Sequence, residues 1–149
     1  MKNLSLLIAL TVALSACAPS TALRSFFTGR PSNAQVISLL ETVVNRSGGS
    51  VFTCPYVLAA DTDPRYNHLC AKIPGDFGTF QISFESNLIK AANETNGFIE
   101  RLYDGWKRSN NFVHIGFFAL NSREFNVVYG PNPDGQSGSV VFEVDLLNQ

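Results

Sequence analysis

Between residues 32 and 44 apolar residues recur at Val36, Leu39, Leu40, Val43 and Val44, the spacing of one face of an α-helix. Ser32 stands where an N-cap belongs, Gln35 three residues on completes a capping-box pattern, and Gly48-Gly49 closes the run. The next apolar stretch, VFTCPYVLA (51–59), is β-prone but interrupted by Pro55, which suits an edge strand or a bulge. DTDPRYN (61–67) reads as a turn and HLCAKI (68–73) as a second short strand. In TFQISFE (79–85), Phe80, Ile82 and Phe84 alternate with polar residues, predicting a strand with one buried face.

From about Asn87 to Lys107 a longer helix is predicted. Leu88, Ala91, Ala92, Thr95, Phe98, Ile99, Leu102, Tyr103 and Trp106 form its stripe, and Gly97 is a weak point. Lys90 with Glu94 and Asp104 with Arg108 would be i,i+4 pairs on its outer side. The remainder reads as a β-meander. FVHIGFFAL (112–120) is apolar on both faces, NS turns, and REFNVVYG (123–130) buries Phe125, Val127 and Tyr129. PNPDGQSG (131–138) is a loop, and SVVFEVDLL (139–147) turns Val140, Phe142, Val144 and Leu146 inward. The order α-β-β-β-α-β-β-β predicts an α+β fold, an antiparallel sheet of about five or six strands with two helices packed on one face.

The first residues follow a different rule. Lys2 is the one charge before LSLLIALTVAL (4–14), an apolar run too short for a membrane span, which needs roughly 20 residues. Small residues follow, ending in Leu14, Ser15, Ala16 and Cys17. This stretch resembles the lipobox of bacterial lipoprotein precursors at all four of its positions. The resemblance covers residues 1–17 alone. It implies cleavage after residue 16, a diacylglyceryl group on the Cys17 thiol, and an acylated (palmitate-type) amine. Two or more acyl chains anchor a protein stably without a spanning helix. Ala18 resembles the pattern of lipoproteins passed to the outer membrane, on its periplasmic side, where an organism has two membranes; otherwise the outer face of the cell membrane is implied. The alternative is an ordinary secretory signal cut near Ala16 or Ala18, with Cys17 incidental.

Cleavage leaves residues 17–31 as a lipidated tether and 32–149 as one domain. Phe26 and Phe27 in the tether either dock on the domain or touch lipid. All 12 Phe, 4 Tyr and the single Trp lie behind the signal, ample material for a core. With 11 basic against 12 acidic residues the chain lacks the basic face that nucleic acid demands. Once Cys17 carries lipid, Cys54 and Cys70 remain as an even pair in an oxidising compartment. A disulfide between them is expected; two free thiols or a half-built metal site are the alternatives, and only His68 is at hand to help a metal.

Chemistry is thinly signalled. His68 and His114 are the only histidines. His114, mid-strand on the face of Phe112, Gly116 and Phe118, reads as a core or pocket histidine, with catalysis as the alternative. Asp61 and Asp63 beside His68 could hold a cation, but a plain turn explains them and too few oxygen ligands are present for calcium. No nucleophile elbow, zinc-protease, phosphate-loop or C-x-x-C motif occurs, so no metal or cofactor is expected. Trp106 and the FVHIGFF strand either fill the core or line an apolar pocket between sheet and helix. The expected function is a lipid-anchored, non-catalytic envelope protein. It would bind a protein, polymer or small apolar ligand through a sheet surface, a strand edge near Pro55 or the 131–138 loop. The rival reading is an envelope hydrolase using His114 or His68 with an Asp.

Overall fold

The computed structural model describes residues 29–54, 66–110, 113–130 and 139–145. The signal, Cys17, Phe26, Phe27, Pro55, Asp61, Asp63, Phe112, the 131–138 loop and Leu146 lie outside the described residues.

Helix α1 (Asn33–Arg46) begins in the expected capping box: Gln35 N–H donates to Ser32 Oγ at 3.3 Å, and Ser32 N–H donates to Gln35 Oε1 at 2.8 Å. It buries Val36, Leu39, Leu40, Val43 and Val44. Its end is a Schellman motif: Gly48 adopts φ +73°, its N–H reaches Asn45 O, and the Gly49 N–H reaches Val44 O. Glycine is required at 49 because a Cβ there would stand 2.6 Å from the Lys72 carbonyl oxygen. Strands β1 (Ser50–Phe52) and β2 (Tyr66–Lys72) then pair antiparallel with Phe52 opposite Cys70. Cys54 and Cys70 are joined in a disulfide that ties β2 to the chain leaving β1.

Two expectations for the middle of the chain are corrected. Residues 79–85 are not a strand but the first half of helix α2 (Phe77–Glu94). Asp76 caps this helix by accepting the Thr79 N–H at 2.8 Å, which leaves its carboxyl below the usual carboxylate range. Phe80 and Phe84 are compatible with a period of two or with i,i+4. Ile82 decides between them: it is 75% exposed while Phe80, Phe84, Leu88, Ala91 and Ala92 are buried on one stripe.

Nor does a helix run from Asn87 to Lys107. α2 stops at Glu94 in a second Schellman motif, with Asn96 at φ +55° and the Gly97 N–H on Ala92 O at 2.8 Å. Thus Gly97 lies beyond the helix end, and the supposed second half, with Asp104 and Arg108, is strand β3 (Ile99–Asn110). The order becomes α-β-β-α-β-β-β-β.

Strands β4 (Val113–Leu120), β5 (Arg123–Gly130) and β6 (Ser139–Asp145) complete the meander. All pairings are antiparallel in a six-stranded sheet of order β1-β2-β6-β5-β4-β3. The predicted α+β architecture is therefore what the chain forms. α2 carries the chain from the β2 side to the far edge, and the meander returns until β6 meets β2. Both helices cover one face, burying Leu69, Ala71, Phe118, Phe125, Val127, Tyr129, Val140, Phe142 and Val144 of the strands.

The segment entering α1 is pinned at the β4–β5 turn. Asn121 Nδ2 donates to Gly29 O at 3.2 Å, and the buried Arg123 donates through Nε to Pro31 O at 3.0 Å. The point where the preceding chain meets the domain is thereby fixed beside Phe98, whose N–H donates to Asn121 Oδ1.

Candidate functional site

Trp106, on β3, sits opposite Gly116 of β4. A Cβ on Gly116 would come within 3.0 Å of the indole, so the missing side chain is what lets the ring lie against the sheet. The indole meets Phe77, Phe80, Phe84 and Phe118 edge-on at centroid distances of 5.2–6.2 Å. Of the two readings of these aromatics, the core one describes Trp106, and Phe118 satisfies both, buried in the core and lining the cleft described below. The indole N–H still needs an acceptor, and it donates to Glu85 Oε1 of α2 at 2.8 Å.

Glu85 is the centre of a polar cluster. Its Oε1 also accepts from Gln81 Nε2 at 3.2 Å, and its Oε2 accepts from Arg101 Nη2 of β3. The pair is unevenly covered: the Glu85 side chain is 16% exposed and that of Arg101 51%. Arg101 is placed by an irregular turn of β3. Between Arg101 and Trp106 the register with β4 shifts, and Tyr103, Asp104 and Gly105 take φ values of +49°, +62° and +87°. Two consecutive non-glycine residues in this region cost about 1–2 kcal/mol each. Gly105 suits its φ of +87°, and a Cβ there would stand 2.5 Å from Arg101 Cδ and displace the arginine stem. The arginine stem therefore runs across Gly105 toward α2.

Beside this pair opens a cleft of about 330 Å³ lined by Glu85, Leu88 and Ile89 of α2, Ile99 and Arg101 of β3, and Phe118 of β4. This volume lies within the range of small-molecule sites. Apolar side chains are exposed beyond it: Ile89 is half exposed, and Ile82, two turns back on the same face of α2, and Phe98, next to Ile99, are largely exposed.

The residues singled out from sequence are not gathered here. His114 stacks on Phe77 with ring centroids 3.6 Å apart and lies opposite Arg108 in the β3–β4 register. Burial, and secondarily the Arg108 cation, hold its imidazole below the usual histidine value. A depressed imidazole favours the fold above the unfolded-state value, and that contribution is lost as pH falls through the folded-state value. In an NMR titration the His114 ring is expected to protonate below the normal midpoint of about 6.5; a midpoint at or above it would contradict this packing. His68 lies in β2 as the register partner of Glu143, and both of its ring nitrogens are buried with no hydrogen-bond partner among the described residues. Among the described residues no three His, Cys, Asp or Glu side chains are grouped to hold a metal.

Glu85 and Arg101, sixteen positions apart, carry no motif. Asp76 as a cap and Asn96-Gly97 as a stop were the available signals, and together they would have moved Glu85 onto a helix and Arg101 onto a strand. Compared with known proteins, the chain matches no family model, no curated protein and no solved structure.

Proposed function

We propose that this is an exported, lipid-anchored protein of the cell envelope that works by binding rather than catalysis, with the α2–β3 cleft as its site. The observation that carries the binding reading is the state of Glu85. Among the described residues it is the one carboxylate lining the cleft, and both its oxygens are engaged by donors from Trp106, Gln81 and Arg101. A general base needs a free lone pair directed at substrate, and a hydrolase of the expected kind needs an imidazole with it. His114 faces an aromatic ring and a cation instead.

Support for the anchor comes from the lipobox-like Leu14-Ser15-Ala16-Cys17 behind its apolar run. A structural disulfide between Cys54 and Cys70 agrees with export. Ala18 favours the outer membrane, periplasmic side, in a cell with two membranes. Among the described residues no helix is long and apolar enough to cross a membrane.

Intact mass of the membrane-extracted protein tests the anchor. The expected species starts at Cys17 and carries diacylglyceryl and acyl mass that a Cys17→Ser protein lacks. A mature N-terminus without added lipid would overturn it.

A further inference from the structure

We propose that the α2–β3 cleft binds an amphiphilic carboxylate, its anionic head on Arg101 and its hydrocarbon chain against Leu88, Ile89, Ile99 and Phe118. This deepens the binding reading of the same cleft and rests on it.

The polar chemistry of the cleft is one-sided. The acid of the ion pair is the covered member and the cation the exposed one, 16% against 51% for their side chains. Both oxygens of Glu85 are occupied, whereas the guanidinium commits one of its two terminal nitrogens to Glu85 and keeps further N–H donors for a ligand. What the exposed member of the pair offers a visitor is donor hydrogen bonds from a guanidinium, to which a planar carboxylate is complementary. Aliphatic side chains and one aromatic ring supply the rest of the lining, and they match a flexible hydrocarbon chain rather than a sugar or a nucleotide.

The cleft is also a built feature. Backbone strain at Tyr103 and Asp104 and the bare Cα of Gly105 serve to lay the arginine stem across the turn and bring its head to α2. A regular edge strand would leave Arg101 an ordinary exposed side chain. Ile89 is half exposed, whereas Leu88 and Phe118 are buried, so the chain of a ligand meets Ile89 first and the core residues beneath it.

The single tryptophan makes this measurable. Trp106 bonds to Glu85 and touches Phe118, so its emission reports on the cleft. The full chain, reconstituted in phosphatidylcholine vesicles, is titrated with 2-bromodecanoate, whose bromine sits beside the carboxylate and quenches nearby indole. The neutral 2-bromo-1-decanol is the control. Saturable quenching by the acid is expected, weakened roughly tenfold to a hundredfold by Arg101→Ala, since charge-assisted hydrogen bonds are lost. Gly105→Ala should weaken it too by displacing the arginine stem. Ile89→Asn should weaken the acid and the alcohol alike. Thermal melts of each variant verify that it is folded, and Arg101→Ala and Ile89→Asn, at exposed positions, carry the test if Gly105→Ala, at a buried one, does not fold.

Equal binding of acid and alcohol, indifferent to Arg101→Ala but lost in Ile89→Asn, would overturn the carboxylate while leaving the cleft a binding site. Absence of saturable quenching by either probe would overturn both.

Discussion

Phe84→Ala is expected to destabilise the domain by about 3–5 kcal/mol, the range for truncating a fully buried phenylalanine. Phe84 is wholly buried and its ring meets Phe80, Trp106, Phe118 and Phe142, so it joins α2 to β3, β4 and β6 at one point. The lost transfer free energy is compounded by a cavity that four aromatic neighbours cannot all relax to fill. For a domain of this size the change corresponds to a fall in Tm of roughly 10–20 °C. Ile82→Ala provides the contrast: it should cost no more than about 0.5 kcal/mol, as surface changes do. In a strand with Phe80, Ile82 and Phe84 on one face, the two substitutions would cost similar amounts. Urea unfolding of both variants therefore tests the helix as well as the core, and comparable losses would refute the helical assignment.

Breaking the Cys54–Cys70 bond is expected to cost about 3 kcal/mol in the chain-entropy model, because the bridge closes a loop of roughly 15 residues in the unfolded chain. The double variant Cys54→Ala, Cys70→Ala should melt lower than the oxidised wild type and no longer respond to dithiothreitol. Wild type should lose comparable stability when reduced. Superimposable melts of oxidised and reduced wild type would show that the bridge contributes nothing. Protein retained in a reducing compartment would lack the constraint at the edge of the sheet, where β1 is only three residues long.

How much of this was legible can be judged from the two helix ends. Gly48-Gly49 and Asn96-Gly97 terminate their helices by the same backbone hydrogen bonds. The first was readable because it follows an apolar stripe that stops. The second was obscured because Phe98, Ile99, Leu102 and Trp106 prolong the helical spacing past it, while their burial is set by a strand. Phe98 and Tyr103, counted on the helical stripe, are 70% and 64% exposed. Likewise the alternation at Phe80, Ile82 and Phe84 fits either period locally. Asp76 and the position of α2 over the sheet settle it.

The sequence by itself determined the boundaries of α1 and the three returning strands with Phe125, Val127, Tyr129, Val140, Phe142 and Val144 inward, and it favoured the pairing of Cys54 with Cys70 that the structure forms. Each of these rests on neighbours close in the chain: a cap with its third residue, a period of two between turns, an even cysteine count. Tertiary structure alone decided where α2 lies and that Glu85 and Arg101 meet beside Leu88, Ile89, Ile99 and Phe118. That cleft depends on a helix crossing the sheet to its far edge and on a three-residue kink in β3. Contacts made across such distances leave no period or spacing in the chain, because what fixes them is the packing of one element on another.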